Sequence, residues 1–150
     1  MTGKCQSGRP SPVGLRARAL RRTSAAHPYD PAVADVQPRR VEKPWGHELW
    51  WAQTPSYAGK LLYVDAGHRL SLQVHNEKDE TSYVLSGRLR LTWGPSADDL
   101  KEKEIGPGDA WRIEPGTVHS IEAIEDSVVA EVSTPQLDDV VRLRDRYERS

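Results

Sequence analysis

From Val41 onward the chain alternates apolar and polar residues in short runs broken by turn residues, and no helical period competes until the last segment. Such alternation marks strands with one buried face. Nine candidate strands follow, at residues 47–51, 60–65, 70–75, 80–85, 88–93, 100–105, 110–113, 118–123 and 127–132. Between them stand Ala66-Gly67, Ser86-Gly87, Gly94-Pro95, Gly106-Pro107-Gly108-Asp109, Glu114-Pro115-Gly116 and Glu125-Asp126, residues that favour turns. This spacing predicts an all-β sandwich or barrel with a small interior whose mouth can hold one ligand. Residues 138–149 are expected to form one short C-terminal helix, with Leu137 and Val141 as a weak apolar pair. The chain has no Phe, so Trp45, Trp50, Trp51, Trp93 and Trp111 are expected as the large core fillers, with the tyrosines.

At 150 residues there is room for one domain. Charge is unevenly spread. Before Val41, eight Lys and Arg face only Asp30 and Asp35, whereas the remainder carries 13 basic against 20 acidic residues. An acidic domain repels polyanions, so no nucleic-acid partner is expected of it. Residues 1–40 lack apolar periodicity and hold five prolines, and they read as a disordered basic N-terminal extension. Three explanations fit an Arg-rich, acid-poor leader: an organelle transit peptide, a nucleic-acid arm, or an upstream extension without function. The single cysteine, Cys5, lies in this leader, which excludes an intramolecular disulfide and points to a reducing, cytoplasmic setting. No apolar run approaches the ~18 residues of a membrane span.

Four polar residues stand out against the apolar runs. In Leu70-Ser71-Leu72-Gln73-Val74-His75 the alternation puts Gln73 and His75 on one face, and Glu80 opens the next run after a four-residue polar link that can fold it back alongside. His119 follows the turn Glu114-Pro115-Gly116 and brings a fourth potential ligand. Taken singly, a His is more often hydrogen-bonded core, and a Gln or Glu more often faces water. Together and turned inward, they would be costly to bury without a cation. Two imidazoles, a carboxylate and an amide suit one divalent metal ion. Zinc fits the ligand types, and iron, manganese, nickel or cobalt would also be accepted. Two His and one carboxylate also describe the facial triad of iron oxygenases, against which Gln73 argues by filling a position that oxygen chemistry needs open.

The spacing Gly67, Gln73, His75, Glu80, Gly87, followed by Gly108, Glu114-Pro115-Gly116 and His119, resembles the two cupin motifs. Gln73 stands where most cupins have a first histidine, and Gln73 followed by His75 resembles the start of the zinc site in the cupin domain of type II mannose-6-phosphate isomerases. Lys43-Pro44-Trp45-Gly46 is similar to that family's opening RPWG, and Arg69-Leu70-Ser71-Leu72-Gln73 to its RLSLQ run. Leu137-Asp138-Asp139-Val140-Val141-Arg142, with Tyr147, is similar to its closing segment. The resemblance implies a single cupin domain, a double-stranded β-helix or jelly-roll barrel, over residues 41–150. It also implies a metal held by Gln73, His75, Glu80 and His119, and a homodimer, which light scattering would test.

The activity so implied is interconversion of mannose 6-phosphate and fructose 6-phosphate. An ion would polarise the C1 and C2 oxygens while a base moves a proton between those carbons. Lys60, where the family also tends to carry a lysine, is the candidate base. Around Glu80 the family's basic, aromatic stretch HHRAEHW is replaced by Asn76-Glu77-Lys78-Asp79-Glu80-Thr81-Ser82, and Ser120 stands where an arginine commonly follows the second-motif histidine. Lys43, Lys78 and Arg112 are the candidates to hold a phosphate in their stead. Nothing upstream reads as a nucleotidyltransferase domain, so the bifunctional version of the family is not expected. The alternatives are a metal-dependent epimerase or oxygenase on another small molecule, and a noncatalytic sugar-binding module.

Overall fold

A computed structural model of the chain describes residues 35–149. The expected disordered extension lies outside the described residues as far as residue 34, and its last two residues, Arg39 and Arg40, are strand. In chain order the strands are β1 (Arg39–Lys43), β2 (Gly46–Gln53), β3 (Ala58–Val64), β4 (Leu72–Val74), β5 (Glu80–Ser86), β6 (Leu89–Ser96), β7 (Asp99–Ile105), β8 (Ala110–Ile113), β9 (Val118–Ala123), β10 (Ser127–Ser133) and β11 (Val141–Arg144). They form a six-stranded sheet in the order β1-β2-β3-β10-β5-β8 and a five-stranded sheet in the order β11-β4-β9-β6-β7. Every pairing within them is antiparallel.

Alternation within each strand decides what fills the space between the sheets. Along β5, Ser82 and Val84 are buried while Thr81, Tyr83 and Leu85 are exposed; along β10, Val129 and Glu131 turn inward and Val132 outward. Leu62, Val64, Val84, Val129, Leu89, Leu91, Ile105 and Ile121 form the apolar core with Trp45, and Trp93, Trp111 and Tyr147 pack against it. Each fully buried Val or Leu among these contributes about 1.5–3 kcal/mol. Trp45 reaches the core from the β1–β2 turn because Gly46, at φ +136°, lets that turn press on β3, where a Cβ would stand 2.0 Å from the Tyr63 carbonyl oxygen. Trp51 departs from its expected place: it is 42% exposed and lies over Gly59 on the outer face.

Three further expectations are corrected. No helix forms over residues 138–149; the segment instead adds β11 to the open edge of β4, with Val141 opposite Val74 and Arg142 opposite Gln73. An edge strand's unpaired backbone groups offer more than a short, weakly amphipathic helix can provide for itself. Gly94-Pro95 is not a turn but the end of β6, where a register shift between Trp93 and Ser96 accommodates the missing proline N–H. The run 70–75 is strand only over Leu72–Val74, so His75 leaves β4 at its end.

Candidate metal centre

His75, Glu80 and His119 converge in the interior although they come from both sheets. Gln73 on β4 and His119 on β9 are direct cross-strand partners, which fixes their side chains on one face. His75 follows at the end of β4, and Glu80 opens β5 on the opposite sheet. His75 is 1% exposed, His119 5% and Glu80 7%, and their ligating atoms all lie within 4.8 Å of one another. Glu80 Oε1 is 3.2 Å from His119 Nε2, and Glu80 Oε2 is 3.6 Å from His75 Nε2. Two metal–ligand bonds of about 2.1 Å meeting at about 100° separate their donor atoms by about 3.2 Å.

Both imidazoles are oriented through their other nitrogen. His75 Nδ1 bonds the Asp139 carbonyl, and His119 Nδ1 bonds the Thr117 carbonyl at 3.0 Å. Such carbonyl partners hold a ligating histidine as the tautomer whose Nε2 lone pair is free. Burial pushes His75 below its usual pKa, opposed by the Glu80 charge. Its Nε2 has no hydrogen-bond partner, an orphaned buried nitrogen beside a carboxylate that can only accept. A cation resolves that conflict, so the residues fit a divalent ion. Gln73 turns its Oε1 to Ser71 Oγ at 2.8 Å and its Nε2 to His119 at 3.5 Å, so it ligates only after a half-turn of the amide.

Beyond the ligands runs a buried chain of charges. Lys78, 3% exposed, hydrogen-bonds Glu80 Oε2 and, at 2.9 Å, Glu131 Oε1; Lys60 Nζ stands 3.5 Å from the same Glu131 oxygen. Burial alone would raise the Glu80 pKa, but the His119 ring and the Lys78 ammonium outweigh it and hold the carboxyl well below the usual range. Burial would likewise lower Lys78, and Glu131 with Glu80 outweighs it, raising the ammonium above its ordinary value.

This chain forms part of the wall of a cavity of about 400 Å³ that Gln73 and His75 also line. Arg39, Lys43, Lys60, Lys78, Arg142 and Arg149 line it too, against the carboxylates Glu48, Glu131 and Asp138. Of the residues expected to hold a phosphate, Lys43 reaches the cavity and bonds Glu48 at 3.5 Å, and Lys78 is committed to the two glutamates. Arg112 is not brought there: it is exposed and pairs with Asp79 and Glu114. The sequence reading missed Glu131, Asp139 and the cavity arginines. An acidic residue on the inward face of β10, two places from Val129, was the available signal for Glu131.

Asp139 ties the segment after β10 to the ligands. Its carboxylate accepts the backbone N–H groups of Asn76 at 3.1 Å, Glu77 at 2.6 Å and Lys78 at 2.9 Å, and the Glu77 bond leads in lowering its pKa from 3.8 to about 2. A folded-state pKa below the unfolded one stabilises at neutral pH, and that contribution is lost as pH falls from about 4 through about 2. The melting temperature of Asp139→Asn is therefore expected to fall less steeply over that window than that of the wild type. Parallel curves in pH-resolved thermal denaturation would show that the three bonds carry no differential stability.

Residues 58–134 match the family described as Cupin domain, and the chain belongs to the cupin family. It is 30% identical over 118 residues to mannose-1-phosphate guanylyltransferase 2 of Escherichia coli O157:H7, a match covering 75% of this chain but 23% of that protein. The chain thus spans less than a quarter of that curated relative. Among solved structures it is similar to KdgF from Halomonas sp., with a TM-score of 0.57 and 26% identity over 69% of this chain and 91% of that one. Oxalate decarboxylase from Bacillus subtilis shares the fold, with a TM-score of 0.63 at 17% identity over 75% of this chain and 33% of that one. No helix among the described residues is long and apolar enough to cross a membrane.

Proposed function

We propose that this chain is a metal-dependent sugar-phosphate isomerase that interconverts mannose 6-phosphate and fructose 6-phosphate. The observation that carries the reading is the orphaned His75 nitrogen beside Glu80 and His119, next to a cavity that His75 also lines and in which six Lys and Arg outnumber three carboxylates. Similarity to a mannose-1-phosphate guanylyltransferase supports a phosphorylated sugar as ligand. His75, Glu80 and His119 would hold the ion, with Gln73 joining once its amide turns. Bound there, zinc or another divalent metal supplies Lewis acidity to sugar oxygens.

The protein's own groups do the rest. Lys43, with Arg39 and Arg142 on the same cavity wall, offers the phosphate charged donors in place of Arg112. Lys60, on β3, lines the same cavity and offers an ammonium beside the site. The isomerase reading predicts that metal-loaded protein exchanges the C2 proton of mannose 6-phosphate into heavy water and forms fructose 6-phosphate, followed by NMR. Binding without exchange would replace it with a sugar-binding module, and oxygen consumption would replace it with an oxygenase.

A further inference from the structure

We propose that Glu131 is the base of this site, and that Lys60 is its cationic partner and the proton donor to oxygen; the inference rests on the isomerase reading above. Glu131 lies on β10, a strand paired on both sides within the six-stranded sheet, with Lys60 of β3 directly opposite and Ser82 of β5 on its other side. Its position is therefore set by strand register rather than by a loop, the rigidity that proton transfer at carbon requires. It is 6% exposed, on the inward face that also carries Ser127, Val129 and Ser133. The same side chain lines the cationic cavity and also the small void bounded by Gln73, Glu80 and His119. It thus stands between the ligand cluster and the space a substrate would enter.

The hydrogen bonding leaves Glu131 one oxygen to work with. Lys78 and Lys60 both address Oε1, at 2.9 Å and 3.5 Å, so Oε2 is the oxygen left for a substrate. Lys60 directs its ammonium at this carboxylate and over the Trp50 ring, 5.0 Å from the ring centroid, so its partners are an anion and an aromatic face. Stability gives little reason for the arrangement, since well-packed apolar residues often replace buried ion pairs without loss. A carboxylate and an ammonium held side by side in a cavity are, by contrast, the two halves of an acid–base pair.

On an open-chain aldose phosphate, Glu131 Oε2 takes the proton from C2. The C–H electron pair becomes the C1–C2 π bond, the carbonyl pair moves to O1, and O1 takes a proton from Lys60. In the second half Glu131, whose proton exchanges with solvent while the enediol is bound, protonates C1, the O2 proton passes to Lys60, and C2 becomes the carbonyl carbon. No proton or electron is gained or lost overall.

The test compares Glu131→Gln, Glu131→Asp and Lys60→Met with the wild type in the full, metal-loaded chain. It reads deuterium incorporation at C2 of mannose 6-phosphate together with metal content by elemental mass spectrometry. Glu131→Gln is expected to keep its metal and to lose about 10²–10⁴-fold in exchange. Glu131→Asp, which keeps the charge but shortens the reach, should fall between, and Lys60→Met should retain more exchange than Glu131→Gln. Wild-type exchange in Glu131→Gln, or a greater loss in Lys60→Met, overturns the assignment. So does loss of metal in step with rate, which would mean that Glu131 acts only through Lys78 and Glu80. If Glu131→Gln fails to fold, an Asp variant as fast as the wild type overturns it equally. Wild-type protein without exchange removes the isomerase reading, and this proposal with it.

Discussion

The wild-type chain is expected to purify with a divalent ion and His75→Ala without it, with an affinity lowered by well over the ~10–100-fold typical of losing a partner one shell out. Three side chains of three different origins make this cluster: the end of β4, the start of β5 and the start of β9. None of the three has a neighbour of the same kind to substitute for it, since the described residues hold only this group of three or more His, Cys, Asp or Glu within metal-binding reach. His75 also carries the most demanding environment, 1% exposed with Nε2 unpartnered, and that nitrogen disappears with the ring. Elemental mass spectrometry of both proteins, followed by competition with a chromophoric chelator, measures the difference. Equal metal content would mean that the ion, if any, binds elsewhere.

Lys78→Met is expected to destabilise the described domain by about 3–5 kcal/mol. The ammonium bridges Glu80 and Glu131, whose side chains are 8% and 7% exposed, and its removal leaves two carboxylates facing one another without the charge between them. The size comes less from the bond lost than from the buried charges left behind. Metal on Glu80 neutralises one of the two, so the loss should be smaller for metal-loaded protein than for stripped protein. Urea denaturation of both forms decides the matter. An unchanged midpoint in the stripped protein would show that water reaches this pair, and a Lys78→Met/Glu131→Gln double variant should recover part of the loss.

The residues that were legible and those that were not divide along a physical line. Alternation within a strand is local, so the strands carrying Leu62, Val84, Leu91 and Val129 could be read from the chain itself. Gln73, His75, Glu80 and His119 were legible because their spacing resembles a recurring pattern, and the structure brings them together. β1 escaped because Arg39-Arg40-Val41-Glu42-Lys43 holds a single apolar residue; as the end strand of its sheet it is held by its ladder with β2. β11 escaped because its pattern is inverted: Val141 and Leu143 face outward, 44% and 43% exposed, while Arg142 lines the cavity. The Lys78–Glu131 and His75–Asp139 contacts span 53 and 64 residues. Only the register of strands far apart in the chain brings such partners together, and composition carries no trace of it.

The Asp139 carbonyl has a consequence for the order in which this protein matures. Gln73, His75, Glu80 and His119 all precede it in the chain, yet the group that aims the His75 ring comes after them all, on the segment that must first lie down along β4. A nascent or refolding chain can therefore collect its donors early and still lack the tautomer and the angle that make them a binding site. Cobalt added during refolding would colour the protein only when β11 docks. The absorbance of the ion then becomes a clock for the docking of β11.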